Sequence, residues 1–169
     1  MKAFYLTSIL LFSVAFVVAQ QGVSTKSFRI VPLEECQGSE EKKAIKYLEE
    51  SKDRKNSKEE RLEALRKAIE EDPDCAEAHY MLGLELLRTA ISRGASFKSA
   101  ESELKEVVRI CPDFHFEPYY YLEAIALGRK AYKEAIEYYD KYYKLSASSA
   151  DPLDDQREDA IKLDYEYAK

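Results

Sequence analysis

Ala68-Ile69-Glu70-Glu71-Asp72-Pro73-Asp74, followed by Ala78-His79-Tyr80-Met81-Leu82-Gly83, decides the fold, because the chain repeats it. The second copy is Val107-Val108-Arg109-Ile110-Cys111-Pro112-Asp113, followed by Pro118-Tyr119-Tyr120-Tyr121-Leu122. The two prolines, Pro73 and Pro112, stand 39 residues apart. A third segment of the same kind ends at Tyr142-Tyr143-Lys144-Leu145. Self-similarity at this period marks a stack of helical hairpins, in which each unit buries its apolar face against the next.

Helical spacing runs outward from these phrases. Ala44, Ile45 and Leu48 share one face of a first helix, and Leu62, Leu65, Ala68 and Ile69 share one face of the next. Ser57-Lys58-Glu59-Glu60 reads as a capping box, and Asp74 reads as the cap of the helix that follows Pro73. From Ala76 to Ile91 the chain is apolar nearly all round, which predicts a helix buried at the centre of the stack. Phe97, Ala100, Leu104, Val107 and Val108 form its partner, and Tyr119 to Leu127 with Tyr132 to Leu145 form a third pair. Asp151-Pro152 opens a closing helix over residues 151–168, with Ala160, Leu163 and Tyr167 on its apolar face. The expected fold is all-α: about three hairpins over 40–146 and a C-terminal capping helix.

The amino terminus reads differently. Lys2 is followed by an uncharged run from Phe4 to Val18, and Val17 and Ala19 suit the small-residue positions before a cleavage point. Residues 1–19 read as a secretory signal peptide. The alternative, a membrane anchor, would need a longer span and a following basic cluster. Its nearest cysteine is Cys36, far beyond the apolar run, which speaks against a lipoprotein signal. Residues 20–39 read as an extended leader with a short strand-like piece at Phe28-Arg29-Ile30-Val31. No span is expected in the mature chain.

Composition narrows the function classes. The 169 residues are 46% hydrophobic and 34% charged, a mix that builds a core and is not that of a disordered chain. The formal charge of −6 becomes −7 once Lys2 leaves with the signal, so sequence-independent nucleic-acid binding is not expected. Two histidines and three cysteines leave little material for a metal enzyme or a nucleophilic triad. No glycine-rich phosphate loop and no Ser-His-Asp order occurs. The expectation is a non-enzymatic chain without cofactor or metal, and its acidic pairs, such as Glu49-Glu50 and Glu70-Glu71-Asp72, read as solvated charge.

Taken together, the chain resembles the tetratricopeptide repeat proteins. His79, Leu82, Gly83, Ala100 and Pro112 match that family's pattern in the second repeat, Tyr119, Leu122 and Ala135 in the third, and Ala68 and Pro73 at the end of the first. Residues Arg88 to Gly94 exceed the usual repeat length and are expected to lengthen the connection between the two helices. Arg61 and Glu123 stand where the family prefers a small residue. More narrowly, the signal peptide, three hairpins and the phrase Cys111-Pro112-Asp113-Phe114-His115-Phe116-Glu117-Pro118 are similar to the amino-terminal region of Bacteroidota envelope proteins. Those proteins continue into a β-propeller and an OmpA-like peptidoglycan-binding domain, and some serve type IX secretion and gliding.

The resemblance implies an exported interaction scaffold in the periplasm or at the outer-membrane periphery, within an outer-membrane complex. It would hold a peptide or envelope protein in a groove lined by Tyr80, Leu84 and Leu87, then Tyr120, Ala124 and Leu127. In the first repeat the corresponding positions are Lys46, Glu50 and Asp53. The groove residues could instead pack against the chain's own closing helix or a downstream domain. The alternative function it implies is an N-terminal accessory module, or a piece, of a larger propeller-bearing, OmpA-like, peptidoglycan-linked envelope protein of the secretion or gliding machinery.

Cys75-x-x-x-His79 and Cys111-x-x-x-His115 invite a zinc site, but the pairs fall at different points of the hairpin. A disulfide between Cys75 and Cys111 fits better, since one begins a helix, the other ends its partner, and an oxidising compartment permits it. Cys36 would then be the odd thiol.

Overall fold

The computed structural model describes residues 39–147 and Glu166. Six helices occupy this stretch: α1 Lys42–Lys52, α2 Lys58–Glu71, α3 Ala76–Arg93, α4 Lys98–Ile110, α5 Glu117–Gly128 and α6 Tyr132–Ala147. No strand occurs among the described residues. The residues read as signal peptide and leader, up to residue 38, lie outside them, as does the stretch read as a closing helix except for Glu166, which is helical and exposed.

Local chemistry sets the helix boundaries. Ser57 accepts a bond from the Glu60 amide at 3.2 Å, and the Glu60 carboxylate accepts one from the Ser57 amide at 2.7 Å, so α2 starts on the full capping box. The C-terminal carbonyls of α1 are met by side chains: Ser51 Oγ donates to the Leu48 carbonyl at 2.6 Å and Asn56 Nδ2 to that of Glu50 at 2.8 Å. Pro118 sits in the first turn of α5, where a missing N–H costs nothing.

Two local expectations change. The residue before α3 is Cys75, without a side-chain cap, while the Asp74 carboxylate bonds Arg109 of α4 at 2.8 Å. A partner on another helix has outcompeted the local amides. The additional residues at Arg88–Gly94 extend α3 to 18 residues and do not lengthen the link. Gly94 then ends the helix in the left-handed region at φ 61°, which a residue without Cβ adopts freely, and the Ala95 amide bonds the Ala90 carbonyl at 2.9 Å.

Packing follows chain order. Each of α1/α2, α3/α4 and α5/α6 is joined by a short link and packs along its length, so each is an antiparallel hairpin, and successive hairpins meet through α2 on α3 and α4 on α5. The first core cluster joins Leu48, Leu65, Ala68, Cys75, Ala78 and Leu82. A second joins Phe116, Tyr119, Tyr139 and Tyr142. Ala44 and Leu48 of α1 are buried as the spacing predicts, but Ile45 is 42% exposed. Phe97 also lies outward, at 39%, while Ala100, Leu104 and Val107 carry the inner face of α4.

At the centre, α3 and α4 come close because residue 83 has no side chain. A Cβ placed there would stand 3.2 Å from Leu104 Cγ and 3.4 Å from Glu103 Cβ. This is the steric role expected of the Leu-Gly phrase. Among the described residues, no helix is long and apolar enough to cross a membrane.

Candidate interaction site

The six expected groove positions divide into two kinds. Tyr80 and Leu87 are buried, at 2% and 6% exposure, while Leu84, Tyr120, Ala124 and Leu127 are half-buried. Only the second kind keeps surface for a partner. Lys46, Glu50 and Asp53 of the first hairpin are exposed, and Lys46 pairs with Glu50 at 3.6 Å.

Tyr80 is buried by the link between α4 and α5. Phe114 of that link lays its ring edge-on to Tyr80, with centroids 5.6 Å apart. The Tyr80 hydroxyl donates to the carboxyl group of Glu117, which is 3% exposed in the first turn of α5. Burial, together with the Glu117 charge and hydrogen bond, pushes the Tyr80 phenol far above its ordinary value. The link is fixed at further points. Tyr119 Oη donates to the Pro112 carbonyl at 2.9 Å, the Glu117 amide donates to His115 Nδ1 at 3.2 Å, and Phe116 packs edge-on against Tyr142 of α6 at 5.9 Å. Phe114, Phe116, Glu117 and Pro118 of this phrase therefore form a buried wedge between the second and third hairpins, while Pro112 and Asp113 stay exposed.

The tyrosines of α6 mostly pack. Tyr139 and Tyr142 are buried, Tyr138 is half-buried, and Tyr143 is 49% exposed and stacked on Tyr139 at 6.2 Å. The phenols of Tyr119 and Tyr138 are each pushed up to about 12, chiefly by burial.

His79 sits beside Tyr80 and is 6% exposed. Its Nδ1 is 2.7 Å from Glu103 of α4 and its Nε2 is 3.1 Å from the Pro73 carbonyl. Burial would lower its pKa, but the Glu103 bond, the Pro73 bond and the charges of Glu103 and Glu106 outweigh it and hold the imidazole above its ordinary value. With both ring nitrogens engaged, His79 is not available as a zinc ligand.

The cysteines depart from expectation. Cys75 is a free thiol at 2% exposure, whereas Cys111 is disulfide-bonded, so the two do not bridge each other. Cys75 turns inward into the first core cluster, where burial pushes its thiol up. Cys36, the chain's third cysteine, lies outside the described residues. Among the described residues, no group of three or more His, Cys, Asp or Glu is placed to hold a metal ion.

Charge also joins the hairpins. Lys105 of α4 bonds Glu101 and Glu134, both at 2.8 Å, and Arg129, just after α5, bonds the same two acids at 2.9 and 2.8 Å. The four groups close a ring that ties α4 to the third hairpin, with Tyr138 donating to Glu134 at 3.2 Å. Those hydrogen bonds raise the Lys105 pKa and, led by that from Lys105, lower that of Glu134. Phe97, Ser102 and Ile125 border a shallow depression of about 530 Å³ beside this ring. A wider, acidic depression of about 980 Å³ lies on the first hairpin, lined by Glu50, Asp53, Glu59, Glu60 and Glu63 together with Arg66 and Lys67.

Sequence reading missed Glu117 and Glu123, both 3% exposed, along with Phe114 and Phe116. The available signal was the setting: Glu117 lies between Phe116 and Pro118, and Glu123 stands inside Leu122-Glu123-Ala124-Ile125. No protein-family model matches the chain, and no curated protein matches it either.

Proposed function

We propose that the chain is a tetratricopeptide-type interaction scaffold, exported to the periplasm or outer-membrane periphery, which binds a peptide or envelope protein and catalyses nothing. One observation carries the reading. Leu84 of α3 and Tyr120, Ala124 and Leu127 of α5 keep apolar surface at the positions where such a stack holds its ligand, while Tyr80 and Leu87 beneath them are locked into the core. Partly exposed apolar groups on a fixed floor suit an amphipathic helix or extended peptide. The buried polar groups are tied by hydrogen bonds to neighbouring helices, His79 to Glu103 of α4 and Tyr80 to Glu117 of α5, which fits a structural role better than a catalytic one.

Site-specific photo-crosslinking tests this. A benzoylphenylalanine at Leu84 or Ala124, in the full chain in its native cells, should give a discrete adduct with another protein, and the same group at exposed Lys133 should not. Adducts from Lys133 alone, or none from the two groove positions, would overturn the reading. Crosslinks confined to the chain itself would show that its own segments occupy the groove.

A further inference from the structure

We propose that His79, clamped between Glu103 and the Pro73 carbonyl, is a proton-dependent latch on the joint between the first and second hairpins, closed while the His79–Glu103 pair holds its proton and released when that proton is lost.

The argument rests on hydrogen-bond inventory. The side chain of His79 is 8% exposed and its two ring nitrogens face two acceptors: a carboxylate oxygen at 2.7 Å and a carbonyl oxygen at 3.1 Å. A neutral imidazole has one N–H and can serve only one of them, whereas the imidazolium serves both. Neither acceptor can supply the missing hydrogen unless Glu103 itself carries the proton, and then the pair still holds one proton more than its deprotonated form. Loss of that proton therefore breaks one of the two bonds, whichever atom carried it.

The placement makes this a joint. Pro73 belongs to the turn that ends α2, His79 lies in α3, and Glu103 lies in α4. One ring thus ties the turn to both helices of the second hairpin. Gly83, one turn further along α3, lets α4 approach until Glu103 reaches the ring. The other contact between this turn and α4, Arg109 with Asp74, joins side chains that are 57% and 73% exposed and is a weak substitute.

The surrounding charges all act in one direction or are already paired. From α4, Glu103 and Glu106 favour the imidazolium, and Arg109 is shared between Glu106 and Asp74. From the turn come the acids Asp72 and Asp74, and Glu77 on α3 pairs with Lys52 of α1. Because the folded-state pKa is raised above the ordinary value of about 6.5, the contribution of this group is fully present below that value. It is lost as pH rises through the folded-state pKa.

The test is a pH titration of the imidazole 15N resonances of the full chain, alongside amide hydrogen exchange over residues 72–79 corrected for intrinsic base catalysis. The expected result is a His79 midpoint above that of an ordinary histidine, with exchange in this turn rising several-fold through the same interval. A midpoint at or below the ordinary value, or exchange that ignores the transition, would overturn the proposal. Glu103→Gln keeps the shape and removes the charge. It should lower the midpoint, because the Glu103 charge and its hydrogen bond no longer offset burial, and an unchanged midpoint there would equally overturn the latch.

Discussion

Tyr80→Phe separates a binding tyrosine from a structural one. The ring stays, so its edge-on contact with Phe114 at 5.6 Å is kept and no cavity opens. What disappears is the hydroxyl that donates to Glu117, a group 3% exposed. Leaving a buried acceptor without its donor costs about 1–3 kcal/mol. For a stack of this size that is about 4–12 °C in Tm, at about 4 °C per kcal/mol. Urea unfolding followed by circular dichroism should show a lower midpoint with an unchanged slope. Changing both partners makes the test stricter. In a Glu117→Met background the Tyr80 hydroxyl has lost its acceptor, so Tyr80→Phe should be neutral or stabilising there. The coupling across the cycle should reach about 1.5 kcal/mol. If Tyr80→Phe unfolds within about 0.3 kcal/mol of the parent in both backgrounds, the hydroxyl does not hold the wedge, and Tyr80 returns to the surface as a candidate ligand contact.

Three further outcomes are open to measurement. Gly83→Val should lose about 1–2 kcal/mol in urea unfolding, because crowding Leu104 and Glu103 outweighs the gain in helix propensity over glycine; a stabilised variant would disprove the close crossing. Lys130→Gly should raise the unfolding midpoint, by about 1 kcal/mol, since Lys130 holds φ 61° in the turn between α5 and α6. In a 295 nm titration, the phenols of Tyr80, Tyr119 and Tyr138 should stay protonated at pH 11 in the folded chain and ionise with ordinary tyrosines in guanidinium. The unfolded phenols release protons near pH 10 and the buried ones do not, so stability must fall as pH rises above about 10; a flat profile between pH 10 and 11.5 would contradict their burial.

Most of the helical architecture was legible because its signals are local or repeated. The capping box of Ser57 and Glu60 lies within four residues, and Leu82 recurs as Leu122 after the second proline, although the glycine that follows it does not. Asp74 was misread for the opposite reason: its partner Arg109 lies 35 residues away, and an N-cap signature cannot show a competitor on another helix. The α3 extension looked like added loop because repeat length alone does not say whether surplus residues join a helix, although Gly94 marked where it would end. What the sequence did not show for the expected groove positions is their depth. A helix apolar all round gives no direction for Tyr80, so its contact with a distant link was invisible. Glu117 and Glu123 stayed hidden because an isolated acid on a helix ordinarily reads as solvated.

Both joints between hairpins have an apolar core, and they differ in what surrounds it. Between the first and second hairpins the apolar cluster of Leu48, Leu65, Ala68, Cys75, Ala78 and Leu82 is flanked by polar ties: His79 to the Pro73 carbonyl, Arg109 to Asp74, Lys52 to Glu77 at 3.1 Å and Lys58 to Glu85 at 3.5 Å. Between the second and third, Phe114, Phe116 and the Tyr80–Glu117 bond form a dry wedge, closed on another side by the ring of Lys105, Arg129, Glu101 and Glu134. Apolar packing in a wedge is indifferent to salt, whereas partly exposed ion pairs are screened and individually weak. The half-buried positions Leu84, Tyr120, Ala124 and Leu127 lie on α3 and α5, the two helices that the dry wedge holds together. A ligand bound there, as proposed above, would meet a preformed floor and lose little affinity to ordering it. If the proposed function holds, Tyr80 serves that surface indirectly, by fixing the two helices that carry it, while Tyr120 remains part of it.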